Sequence, residues 1–242
     1  MNKNVLITGA SRGIGRAIAL ELKALGYNLF LSAKNETNLT KIAQELGVKD
    51  FIACDLSKPN EVEKLGNFIQ KNEINVLVNN AGEYLYANIE NADREKISQI
   101  FEVNLLSPIV LCSKAVPFMK VQKWGRIVNI GSISGVMGEA YASLYSGSKS
   151  GLIGFTKALA LELAQHNITV NTINPGWVQT DLGEKSIEKS DFSLEETLDM
   201  IPQRRFVEPK EVAKLVAYLL SNDARGITGQ SINLCAGLSV GV

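Results

Sequence analysis

The chain has 242 residues, 45% hydrophobic and 21% charged, with 25 basic and 25 acidic side chains and a formal net charge of zero. That length suits one α/β domain around one core better than two domains, and a neutral chain carries no global field to draw it to nucleic acid or an anionic membrane. Three scattered cysteines (Cys54, Cys112, Cys235) and a single histidine, His166, argue against a disulfide framework, a histidine-centred metal site and a Ser-His-Asp triad, and a reducing cytoplasm is the simplest location. No secretory leader is expected, because the apolar run at residues 5–7 is too short for one. No stretch reads as the roughly 20 apolar residues of a membrane helix.

In chain order, short apolar runs predict strands at about 5–8, 28–33, 50–54, 75–79, 125–131, 169–174 and 231–234. Helical patterns fall between them, at about 13–25, 36–46, 59–72, 93–119, 145–165 and 209–221. Most strand segments are continuously apolar, as strands buried on both faces are. Strand–helix alternation of this kind predicts a doubly wound parallel sheet of about seven strands, with helices on both faces and a ligand crevice at the carboxyl ends of the strands. The polar stretch 182–205 breaks the rhythm and reads as a substrate lid.

The first strand runs into Thr8-Gly9-Ala10-Ser11-Arg12-Gly13-Ile14-Gly15. Glycines where strand becomes helix let backbone N–H groups approach a pyrophosphate, and the helix N-terminus adds unpaired donors with a partial positive charge. The second strand ends Ala33-Lys34-Asn35, with no acid before Glu36, which opens the next helix. Cys54-Asp55-Leu56 closes the third strand, where Asp55 reads as a helix cap or turn residue. Asn79-Asn80-Ala81-Gly82 closes the fourth and reads as a strand-end turn. Asn104 is a polar residue in an apolar helical stretch, a candidate kink or cap. Ser132 lies just past the fifth strand, with Ser134 as a nearby alternative. Of six tyrosines only Tyr145 has a lysine, Lys149, four residues on, which puts both on one helix face. An adjacent ammonium is expected to lower the phenol's pKa and make Tyr145 a usable acid or base.

Thr8 through Gly15 matches T-G-x-x-x-G-x-G, and with the later motifs, in order, the chain resembles the short-chain dehydrogenase/reductase family over about nine-tenths of its length. The wording is most like the 3-oxoacyl-[acyl-carrier-protein] reductases. The resemblance implies catalysis by Asn104, Ser132, Tyr145 and Lys149, with Asn104 holding a water that links Lys149 to solvent. It implies a dinucleotide held by Gly9, Ser11, Arg12, Gly13, Ile14 and Gly15, by Asp55 with Leu56 at the adenine, and by Asn80, Ala81 and Gly82 beside the ribose. Tyr145 and Lys149 also bound the cofactor, and Pro175, Gly176, Val178 and Thr180 hold the nicotinamide amide. Lys34 and Arg12 would attract a 2′-phosphate that an acid would repel, so NADP(H) is expected over NAD(H).

The expected function is hydride transfer between NADP(H) and a small carbonyl or alcohol substrate, a 3-oxoacyl thioester among them. The alternatives are a dehydrogenase of a small alcohol, sugar or cyclic ketone, and a silent NADP-binding sensor. Lys120, Lys123 and Arg126 suggest a landing patch for an acidic acyl-carrier protein. A homotetramer is expected, built on helices 93–119 and 145–165 and on the last strand with its tail.

Overall fold

The computed structural model describes residues 3–180 and 193–240. Seven strands, β1 (Asn4–Thr8), β2 (Asn28–Ala33), β3 (Phe51–Ala53), β4 (Val76–Asn79), β5 (Gly125–Ile130), β6 (Ile168–Pro175) and β7 (Ser231–Leu234), form one sheet in the order β3-β2-β1-β4-β5-β6-β7. Every neighbouring pair is parallel. All six residues of β5 and all eight of β6 are buried, which is why they read as unbroken runs in the sequence. The direction of winding reverses between β1 and β4, and a crevice opens there at the carboxyl ends of the strands.

The helices follow the sequence pattern with small shifts at their ends. They are α1 (Gly13–Ala24), α2 (Glu36–Leu46), α3 (Pro59–Lys71), α4 (Arg94–Phe101), α5 (Ser107–Gln122), α6 (Ser134–Met137), α7 (Ser143–Leu163), α8 (Leu194–Asp199) and α9 (Pro209–Leu220) among the described residues. Alternate strand residues feed two cores. Val5 and Ile7 pack with Ile18 of α1, Leu39 of α2 and Val212 of α9 on one face. Leu6 packs with Leu65 of α3, Leu111 of α5 and Leu163 of α7 on the other. Asn35 caps α2, its side chain accepting from Asn38 N at 2.8 Å, so Glu36 does open that helix.

Three expectations need correction. The single helix expected at 93–119 is α4 and α5 joined by a π-helical turn, Glu102–Leu106, and it runs on past Pro117 to Gln122. The π turn carries an extra residue, and that residue set includes Asn104. Contrary to the reading that no stretch is long and apolar enough to span a membrane, Arg94–Gln122 passes by length and composition. It is nonetheless a core helix, with Leu111, Ala115 and Met119 fully buried against the sheet and α3. The basic landing patch also dissolves. Arg126 is 1% exposed, donates to the carbonyls of Gly125 and Asn167, and stacks on Trp124. It sits at the amino end of β5, on the side of the sheet away from the crevice.

Of the expected lid, residues 182–192 lie outside the described residues. The remainder forms α8, opened by a Ser193–Glu196 capping box, followed by the buried Ile201.

Candidate active site

The crevice is a cleft of about 1020 Å³, large enough for a dinucleotide and a small substrate together. The glycine loop forms its floor. Gly9 has φ +65°, and a Cβ there would stand 2.9 Å from Ala81 Cα. A Cβ on Gly15 would stand 2.2 Å from the Gly9 carbonyl oxygen. The loop is tied to the end of β4 by two residues. Thr8 Oγ1 accepts from the backbone N–H groups of Asn80 and Ala81, both at 3.0 Å. Asn80 Nδ2 donates to the carbonyls of Thr8 and Gly9 at 2.9 and 3.2 Å. No side chain caps α1, whose first residues, Gly13, Ile14 and Gly15, line the cleft. A backbone packed so closely that a methyl group would fill it, ending on an uncapped helix N-terminus, fits a pyrophosphate.

At the end of β2, Lys34 Nζ pairs with Asp55 Oδ2 at 3.0 Å, and this bond raises the lysine's pKa. An acid therefore does face Lys34, supplied by the turn after β3 rather than by β2. Asp55 also makes the turn expected of it, Oδ1 accepting from Ser57 N at 3.1 Å and Ser57 Oγ at 2.7 Å. Burial pushes its carboxyl upward, but the bonds from Ser57 and Lys34 together hold it below its ordinary value.

Ser132, Tyr145 and Lys149 meet at the other end of the cleft, Ser132 from the turn after β5 and the other two from α7. Lys149 is 3% exposed and its Nζ donates to the Ile130 carbonyl at 2.9 Å; burial lowers its pKa to about 8. Tyr145 is pushed up to about 12 by burial, against a hydrogen bond with Ser132 that pulls the other way. The expected lowering of Tyr145 by Lys149 is not what this geometry gives. The ammonium is bonded to Ile130 and stands 5.7 Å from the tyrosine ring centre, and Ser132 supplies the counteracting bond. The same bond picks out Ser132 over Ser134.

All the sequence-predicted site residues line the cleft except Asn104. Asn104 is fully buried behind it. Its amide pairs with the backbone of Glu83, Oδ1 accepting from N and Nδ2 donating to O, both at 2.9 Å, and Nδ2 also reaches Ser148 Oγ at 3.1 Å. A Cβ on Gly82 would lie 3.3 Å from Asn104 Oδ1 and 3.4 Å from Lys149 Nζ, so glycine lets the two groups approach over its Cα.

Sequence reasoning puts residues 83–91, 134–141 and 177–205 along the pocket, and Tyr84 and Glu139 do line it, but it singles out neither of them. Glu139 Oε1 accepts from Tyr84 OH and Oε2 from Ser134 Oγ, both at 2.6 Å, and the Tyr84 ring packs edge-on against Tyr145 at 5.1 Å. The available signal was a carboxylate in the short loop between Ser132 and Tyr145.

The family model described as enoyl-(acyl carrier protein) reductase matches residues 9–239. The chain belongs to the short-chain dehydrogenase/reductase family. It is 40% identical to a protein of Streptomyces violaceoruber named granaticin polyketide synthase putative ketoacyl reductase 1, covering 96% of this chain and 92% of that one. It is 36% identical to a 3-oxoacyl-[acyl-carrier-protein] reductase of Staphylococcus epidermidis over 98% and 99% of the two chains. The crystal structure of a variant actinorhodin polyketide ketoreductase with NADPH superposes with a TM-score of 0.91 at 36% identity, covering 98% of this chain and 97% of the other.

Proposed function

We propose that this oxidoreductase transfers hydride between NADP(H) and a carbonyl or alcohol substrate, with 3-oxoacyl compounds among those it accepts. The observation that carries this reading is the single cleft that joins a glycine phosphate cradle at one end to Ser132, Tyr145 and Lys149 at the other. When bound, the nicotinamide supplies or takes up the hydride.

The chain's own residues do the rest. In reduction the Tyr145 hydroxyl donates a proton to the carbonyl oxygen, and Ser132 donates a hydrogen bond to that oxygen as charge develops on it. Ser132, whose hydrogen bond pulls the Tyr145 pKa down, stabilises the phenolate that remains, and Lys149 stands 5.7 Å from the ring. Asn104 positions the segment at Glu83 and, with Lys149, frames the way for a replacement proton. Arg12 and Lys34 hold the 2′-phosphate, with Asp55 at the adenine. Pro175, Gly176, Val178 and Thr180 orient the nicotinamide. The three free, buried cysteines accord with a reducing, cytoplasmic setting.

Steady-state reduction of ethyl acetoacetate with NADPH and NADH tests the reading. We expect a higher kcat/KM with NADPH, and a loss of at least about 100-fold in kcat for Tyr145→Phe with NADPH affinity kept within a few fold. Equal efficiency with NADH would remove the NADP assignment. A Tyr145→Phe enzyme with more than a tenth of wild-type kcat would remove the catalytic one and favour a dinucleotide sensor.

A further inference from the structure

The substrate end of the cleft carries a charge that the reaction does not use. Glu139 lies between Ser132 and Tyr145 in the chain and is half-buried on the cleft wall. Both carboxylate oxygens are fixed, one by Tyr84 OH and one by Ser134 Oγ, each at 2.6 Å. Ser134 is in turn reached by Ser132 Oγ at 3.2 Å, and Ser132 is bonded to Tyr145. A chain of hydroxyl groups therefore runs from Ser132, beside the proton-donating phenol, to a carboxylate.

Among the described residues no lysine or arginine forms an ion pair with Glu139. The cleft's basic side chains make no ion pair with it: Arg12 and Lys34 stand at the phosphate end, and Lys149, at the substrate end, is bonded to the Ile130 carbonyl. A second carboxylate, Glu83, lines the same cleft, held by Gln99 Nε2 at 2.8 Å, and its field falls on Lys34 toward the phosphate end. The substrate end thus holds the Glu139 carboxylate and the buried Lys149 ammonium without an ion pair between them, and Glu139 is the charge exposed on the cleft wall.

We propose that Glu139 is a specificity-determining carboxylate, which admits carbonyl substrates that are uncharged next to the reacting carbon, such as 3-oxo esters and thioesters, and turns away 3-oxo carboxylates. This rests on the oxidoreductase reading above. The Tyr84 and Ser134 bonds keep the carboxylate from swinging into bulk water, so its charge stays beside the reacting oxygen. Two like charges about 6 Å apart at an effective dielectric near 20 repel by an amount worth about 100-fold in affinity. Tyr84 strengthens the arrangement. Burial and then the bond to Glu139 raise its pKa, so it remains a donor and never competes as an anion.

The test compares ethyl acetoacetate with acetoacetate, using NADPH, in the wild type and in Glu139→Gln. The amide keeps the size of the side chain, and the Ser134 hydroxyl can turn to accept where it donated. We expect the wild-type kcat/KM ratio, ester over acid, to be about 100 or more and the variant to lower it at least 10-fold. Ser134→Ala keeps the charge and the Tyr84 anchor, so it should lower the ratio less than Glu139→Gln does, and an equal fall in both would mark a general disturbance of the loop. A second readout is independent of turnover: calorimetric Kd values for acetoacetate and ethyl acetoacetate on NADP⁺-loaded protein, an oxidised pair between which no hydride can pass, with the same ratios expected. A wild-type ratio near one, or a ratio that Glu139→Gln leaves in place, overturns the proposal. If neither carbonyl compound turns over, the oxidoreductase assignment of these substrates fails, and the calorimetric ratio alone decides the role of Glu139.

Discussion

Lys149 shows at the level of one side chain how function and stability oppose each other. It is nearly fully buried with only the Ile130 carbonyl as its bonded partner, and burial lowers its pKa from 10.5 to about 8. The sign follows from proton linkage. Between pH 8 and 10.5 the unfolded chain binds more protons at this site than the folded chain does, so stability rises with pH through that window. Below pH 8 the folded state carries the whole burden of a buried ammonium. Replacing it by Met, which has similar length and no charge, removes that burden and leaves one carbonyl without its donor, a loss of about 1–3 kcal/mol. We expect Lys149→Met to raise Tm by about 2–6 °C at pH 7, to lose most of this gain by pH 10, and to abolish turnover. Calorimetric scans at the two pH values check it. A lower Tm at pH 7 would mean that the bond to Ile130 outweighs the desolvation. Spacing in the sequence put Tyr145 and Lys149 on one helix face, but it held no information on what the ammonium bonds. That partner belongs to β5 and was brought near only by the fold. The role of Glu139, within a segment read as pocket lining, was hidden for a similar reason: a carboxylate facing water and one anchored by two hydroxyl groups are spelled alike.

Among the elements, those whose environment is uniform along their length were the ones legible in the sequence. β5 and β6 are buried throughout and could be read from apolar runs alone. The glycine loop was legible because its backbone admits almost nothing else. The π turn at Glu102–Leu106 was not. It is pinned by Asn104 bonding the backbone of Glu83, 21 residues away in sequence, and periodicity within one helix cannot report a contact of that range. The loop yields a sharp prediction. A methyl group on Gly15 would meet the Gly9 carbonyl oxygen at 2.2 Å and Asn80 Nδ2 at 2.5 Å. Neither can withdraw without breaking the bonds from Asn80 to Thr8 and Gly9. Gly15→Ala should therefore destabilise the fold by about 1–3 kcal/mol in urea denaturation and weaken NADPH binding at least 10-fold by fluorescence titration. Unchanged affinity in a folded variant would show that the loop does not hold the pyrophosphate.

For the whole molecule, the remaining question is what covers the outer face of α7. Lys149 points inward, and the residues on the exposed side of this 21-residue helix include Gly147, Ser150, Gly154, Ala158 and Leu161. Leu161 is 83% exposed, and Leu106, in the turn that packs beside α7, is 45% exposed. A solvated helix face ordinarily carries charges, whereas small residues beside a bare leucine suit close approach by another helix. Symmetric pairing of this face and a second contact through β7 and its tail would close four copies into a tetramer, and closed point-group symmetry is the usual result of self-complementary patches. Gly154 separates assembly from folding. A Cβ there meets nothing within 4 Å in the single chain, and arginine is the better helix former by about 1 kcal/mol, so Gly154→Arg should leave the monomer fold intact or more stable. In an assembly it would drive a charged side chain into a tight helix–helix contact. Light scattering should give about 105 kDa for the wild type, four times the chain mass of 26.3 kDa, and a dimer or monomer for Gly154→Arg with unchanged circular dichroism. A wild type that runs as a monomer at micromolar concentration removes the tetramer. A tetrameric Gly154→Arg shows instead that α7 faces solvent and that the copies meet elsewhere.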